Sequence, residues 1–237
     1  MNHKHLDFYE MVKDWTVSDF RTPGIKAEVI VDMLLSDFID DLIRYHYCDS
    51  EQSDVKLLTK ELPIKALSMK EQSKETNRNA KVDYLVSVGN AKLILVELKT
   101  TNDSFDKTQK KRMEKAVETG PENLMEFYNK IANLAKGNTL DRKKYQNVFK
   151  QYQETLQEAN LNGQAFRELD YLYVSLTDSR KLPEEKKLIL EDYCTGGMHY
   201  QGFCNWLLNE ENGEERRQLW DKISDILFEC AKKLGSE

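Results

Sequence analysis

Asp83, Glu97 and Lys99 are the residues whose types and spacing point most directly to chemistry. They stand at the ends of two apolar runs within Lys81 to Thr100, KVDYLVSVGNAKLILVELKT. Burying an unpaired charge is expensive, so three charges ending otherwise apolar segments need a physical reason. A divalent cation shared by the two carboxylates would supply one.

Such a site depends on the elements that carry it. The two runs read as β-strands joined by a tight turn at Gly89-Asn90. Side chains alternate across a strand, so Glu97 and Lys99 share a face, about 6.6 Å apart. The hairpin register decides whether Asp83 joins them. A two-residue loop pairs Val88 with Ala91 and puts Asp83 and Glu97 on opposite faces. A three-residue loop, Gly89-Asn90-Ala91, pairs Val88 with Lys92 and sets Asp83 opposite Glu97, roughly 5 Å away across the strands. Three-residue hairpin loops are common and usually carry a bulge, and the odd register is expected here. Leu85, Leu93 and Leu95 share the charged face, while Tyr84, Val86, Val88, Ile94, Val96 and Leu98 line the other. Both faces are apolar, which predicts a sheet covered on two sides.

Asp83 followed by Glu97-Leu98-Lys99 resembles the D…(D/E)-x-K signature of the PD-(D/E)XK nuclease superfamily. Val82 stands where that family often has proline, a position without a catalytic group. The resemblance implies an α/β, restriction-endonuclease-like core: a central mixed sheet of about four or five strands flanked by helices. It implies a nuclease dependent on Mg2+ (or Mn2+) that hydrolyses phosphodiester bonds, in DNA first of all. Asp83, Glu97 and the main-chain carbonyl of Leu98 would hold the metal, and Lys99 would serve the attacking water and the transition state. Many members carry an acidic residue on the helix before the core strands, and Glu28 resembles it; an ordinary first-turn Glu favouring the helix dipole is the alternative. Gln109 occupies roughly the place of a glutamine seen in several branches of the family. Two rival readings stand beside the nuclease. One is a catalytically inactive nuclease-like scaffold that binds a protein or nucleic-acid partner. The other is an unrelated α/β protein with a chance match.

Composition sets the bounds. The chain has 237 residues, a net charge of −6, 40% hydrophobic and 32% charged residues. That suits one large domain or a domain with an insertion, and 1–237 is read as a single domain. Bulk electrostatics do not favour nucleic acid, so binding would need a local basic patch. No apolar run approaches a bilayer span and no secretory pattern opens the chain, so a cytoplasmic protein with no membrane partner is expected. A homo-oligomer or protein partner stays open. Cys48, Cys194, Cys204 and Cys230 lack zinc-ligand spacings and read as reduced structural thiols.

The remaining elements follow from periodicity. Residues 6–20 read as a short amphipathic helix ended at Thr22-Pro23-Gly24. Lys26 to about Tyr47 reads as one long helix, with Ile30, Met33, Leu34, Phe38, Leu42 and Ile43 as its apolar stripe. Residues 55–67 read as the first strand, with Pro63 marking an edge position or a bulge near its end. Ser68 to Asn79 reads as a solvated loop. A helix from about Phe105 to Glu118 carries a stripe of Lys107, Lys111 and Lys115. With Gln109, this is the chain's best patch for phosphate contact, and a plain solvated face explains it equally well. Pro121 opens another helix and Leu140 to Ala159 a further one, together a helical insertion over about 121–160 whose aromatics read as core. Residues 168–177 are the next core strand, and Lys187 to Glu191 is strand or helix. Helices at about 199–209 and 214–234 close the chain.

Overall fold

The computed structural model describes residues 12, 27–47, 54–63, 81–89, 91–100, 107–133, 150, 166–178 and 181–234. The predicted helices over 6–20 and 140–159 and the loop over 68–79 lie outside these residues, but for Val12 and Lys150. Two helices come first, α1 (Ala27–Leu35) and α2 (Ile39–Tyr47). Then follow β1 (Val55–Pro63), β2 (Lys81–Val88), β3 (Lys92–Lys99), α3 (Lys107–Asn133), β4 (Glu168–Ser175) and β5 (Lys187–Ile189). The last helices are α4 (Tyr200–Leu208) and α5 (Gly213–Leu234). The five strands form one sheet in the order β1-β2-β3-β4-β5. β1 and β2 are antiparallel, as are β2 and β3, while β4 and β5 are parallel. The architecture is thus α/β with a mixed open sheet. No helix among the described residues is long and apolar enough to cross a membrane.

The chain divides into two compact units. One comprises Cys48–Glu97 and Asp106–Leu172; the other comprises Met1–Tyr47, Leu98–Phe105 and Tyr173–Glu237.

The first of these is built on the hairpin. Val88 pairs with Lys92 and Tyr84 with Val96, the register of a three-residue loop. Gly89 adopts a positive φ of 55°, a conformation that glycine reaches without a Cβ penalty. Backbone hydrogen bonds fix the loop at both sides: Gly89 N donates to Asp54 O, and Ala91 O accepts from Arg167 N and Glu168 N. β3 is buried from Leu93 onward on both faces, as its two apolar sides require. β1 lies at the sheet edge, as Pro63 suggests, since proline has no N–H for a second neighbour. Its irregularity falls between Leu57 and Thr59 rather than near Pro63. The extra residue there, Leu58, is buried, so the bulge turns an apolar side chain inward. The strand covers Val55–Pro63 of the described residues, and the expected remainder to residue 67 lies outside them.

α3 is one helix by hydrogen bonding but two by backbone shape. Gly120 (φ 81°, ψ 166°) leaves helical space and Pro121 restarts the helix. A proline has no N–H to lose at a first helical position, so the break costs little there.

The second unit corrects the expectation of one helix over 26–47. The helix is interrupted at Ser36-Asp37-Phe38. Ser36 Oγ donates to Met33 O at 3.0 Å, and Phe38 N donates to Leu35 O at 2.8 Å, a tightened turn. The turn re-phases the apolar residues. Ile30, Val31, Leu34 and Leu35 are buried on α1, and Phe38, Ile39, Leu42 and Ile43 after the turn. Met33, expected in the stripe, is exposed. Phe38 packs on Trp220 of α5 at 5.1 Å between ring centroids, and Phe203 of α4 meets the same indole edge-on at 5.1 Å. Trp220 Nε1 donates to Tyr193 O, which satisfies the buried indole. Ile223, Ile226, Leu227 and Cys230 extend this core along α5.

Charges are also buried in this unit. Arg216 of α5 donates from Nε to Asp41 Oδ2 at 3.1 Å and from Nη2 to Asp37 O at 2.9 Å. Burial nevertheless pushes the Asp41 carboxyl up to about 6, outweighing the guanidinium. Lys187, the first residue of β5, is buried, with Nζ 2.6 Å from both Asp178 and Glu184. Those two hydrogen-bonded carboxylates raise its ammonium pKa. The segment over 187–191 resolves into the three residues of β5 and a 3-10 turn, Leu190–Tyr193.

Candidate active site at the ends of β2 and β3

Continuing the β2–β3 register one residue outward from Tyr84 and Val96 sets Asp83 opposite Glu97. This is the arrangement that a shared cation requires. Direct cross-strand neighbours have Cβ atoms about 5 Å apart and on one face of the sheet. Asp83 is half-buried, whereas Glu97 is only 5% exposed. A carboxylate at that depth needs donors or a cation. One donor is the side-chain amide of Gln109, which hydrogen-bonds to Glu97 Oε1. Gln109 lies in the first turn of α3, on the same side as buried Met113 and Ala116, so the packing of α3 directs the amide inward.

Lys99 follows Glu97 by two residues on β3 and therefore projects to the same face of that strand. It too is 5% exposed. Leu98, between them, is buried. Glu28 occupies the first turn of α1.

The lysine stripe of α3 is separated from Gln109. Lys107, Lys111 and Lys115 are all exposed, and at 100° per residue they point roughly opposite to Gln109, Met113 and Ala116. Gln109 and the lysines are thus two faces of one helix. A cavity of about 410 Å³ opens at the other end of the hairpin, lined by Lys92, Gly120, Pro121, Arg167 and Asp170 among others. Lys92 starts β3 and Glu97 lies near its end, so this cavity does not serve the carboxylates. Lys92 is moreover ion-paired to Asp170 at 3.0 Å.

The donor set fits Mg2+ or Mn2+ in kind. Asp83 and Glu97 offer hard oxygens on one face, and the main-chain carbonyl of Leu98 lies between Glu97 and Lys99 in the chain. No group of three or more His, Cys, Asp or Glu side chains with metal-holding geometry occurs among the described residues. Sequence reasoning reached Glu97 and Lys99 through spacing and Gln109 through the resemblance. The buried thiols of Cys194 and Cys204 are no rivals as nucleophiles, because burial raises both pKa values. Comparison with protein-family models, with curated proteins and with solved structures finds no match to this chain.

Proposed function

We propose that this chain is a metal-dependent nuclease of the PD-(D/E)XK kind, hydrolysing phosphodiester bonds, with DNA as the first candidate substrate. The observation that carries the reading is the odd register of the β2–β3 hairpin, which pairs Tyr84 with Val96 and, continued by one residue, sets Asp83 opposite Glu97. A two-residue loop would have separated them and left no site. The order of elements adds support: a helix pair, three consecutive antiparallel strands, a helix after the E-x-K strand, then the next core strand.

Asp83, Glu97 and the Leu98 carbonyl would hold Mg2+ or Mn2+, with Glu28 as a further acidic candidate. Such an ion polarises the scissile phosphate and lowers the pKa of attacking water. Gln109 holds the Glu97 carboxylate in one orientation before substrate arrives. The Lys99 ammonium offsets the negative charge that develops on the phosphate oxygens and orients the water. Lys107 and Lys111, facing away from Gln109, would meet phosphates distant from the cut.

The test is cleavage of plasmid, linear and single-stranded DNA with Mg2+ or Mn2+, wild type beside Glu97→Ala and Lys99→Ala. Loss in both variants and under a chelator is the expected result. The second reading, a nuclease-like scaffold without catalysis, draws on the net charge of −6 and on the lysine stripe standing away from Glu97. Folded wild type that neither cleaves nor binds metal by calorimetry would favour it.

A further inference from the structure

From Tyr193 to Asn209 the chain carries no Lys, Arg, Asp or Glu, in a sequence where these make up 32% of residues. The stretch is the longest of its kind in the chain and it includes all of α4. It is not simply buried. Phe203, Cys204 and Leu207 face the core, while Gln201, Gly202, Asn205, Leu208 and Asn209 form one exposed face. Met198, just before the helix, is 78% exposed and Leu208 is 41% exposed, two of the exposed large hydrophobics among the described residues.

A soluble surface normally spends its charged residues on such positions. Protein interfaces do the opposite: their centres are depleted in charge and enriched in residues such as methionine. The chemistry of this face further selects the partner. A carboxamide carries both a donor and an acceptor, so a row of them can pair with a copy of itself. Gln201 Nε2 donates to Asn205 Oδ1 at 3.0 Å and Asn209 Nδ2 to the Asn205 main-chain O at 3.1 Å, so three carboxamides lie along this face. A face charged in one sign could not match itself, since a twofold axis would set like charges against each other. The chain's net charge of −6 makes that restriction stronger, because two copies repel over most of their surfaces. Gly202 seats the helix on Tyr45, whose hydroxyl lies 2.4 Å from where a Cβ would stand.

We propose that the exposed face of α4, with Met198, is a self-association surface whose partner is a second copy of this chain. The proposal is independent of the nuclease reading.

The experiment is sedimentation equilibrium of the full chain across micromolar concentrations. Wild type is expected to approach twice the 27.8 kDa chain mass. Met198→Glu and Asn205→Glu, each placing a like charge against its own copy, are expected to weaken association roughly a hundredfold with unchanged thermal melting. Val29→Glu, at an exposed apolar position on α1, is expected to leave association intact. A wild type that stays monomeric overturns the proposal. So does a dimer that keeps its strength in both α4 variants, or one that Val29→Glu breaks equally.

Discussion

The β2–β3 hairpin and the unit that contains β5 and α5 both bury charge, and they treat it differently. In the latter unit, buried charge meets formal opposite charge. Arg216 closes on Asp41, and Lys187 sits between Asp178 and Glu184. On the hairpin, one partner of buried Glu97 is the neutral amide of Gln109, at Oε1. An ion pair cancels charge and leaves little for a ligand, whereas an amide orients a carboxylate without cancelling it. Gln109 thus orients Glu97 Oε1 without itself neutralising it.

The sharpest way to break this contrast is to remove each member and read activity and stability separately. Glu97→Ala and Lys99→Ala should each lower cleavage roughly a thousandfold, the scale of lost transition-state charge stabilisation. Folding should survive both changes, as judged by circular dichroism. Equal cleavage by Lys99→Ala and wild type would erase the distinction.

The next effect concerns Asp41. Its folded pKa of about 6 lies above the unfolded 3.8. The folded state therefore holds a proton that the unfolded state has already lost between these values, and stability falls as pH rises through that window. The loss from this group is about 3 kcal/mol, at 1.36 kcal/mol per pKa unit. Urea unfolding at pH 4 and pH 7 measures it, and Asp41→Asn should flatten the difference. A wild type whose stability rises over this window through Asp41 would mean that Arg216 outweighs burial.

Gln109→Ala should lower cleavage about tenfold by releasing Glu97, while Lys111→Ala, on the opposite face of α3, should change it by less than about twofold at low salt. Equal losses in the two variants would show that substrate reaches both faces of the helix. Lys187→Met should cost only about 1 kcal/mol, because Asp178 and Glu184 are largely exposed and water can take over their solvation. Its cleavage rate per folded molecule should be unchanged.

How much of this was legible in the sequence depended on whether the signal was local. Alternation gave both strands of the hairpin, and the requirement that Asp83 and Glu97 share a face selected the three-residue loop that the structure has. Pro63 correctly marked an edge. The break at Ser36-Asp37-Phe38 was not legible, because apolar residues recur at helical intervals on both sides of it. Phe38 belongs to the second helix's phase only once Trp220 is packed against it. The Lys187 clamp was hidden for a related reason: Asp178 and Glu184 lie in a loop with no period to read. The separation of Gln109 from Lys107 and Lys111 was available from the 100° helical step alone, and reading all three as one patch overlooked it.

The two borders of the sheet carry a final consequence. Among the described residues, one is β1, bent by the bulge at Leu58 and carrying Pro63; the other is β5, only three residues long. Neither offers the long, flat row of unsatisfied amides that templates fibre growth. Concentrated solutions of the folded chain should therefore resist strand-by-strand polymerisation, and any assembly they form should be finite and reversible on dilution.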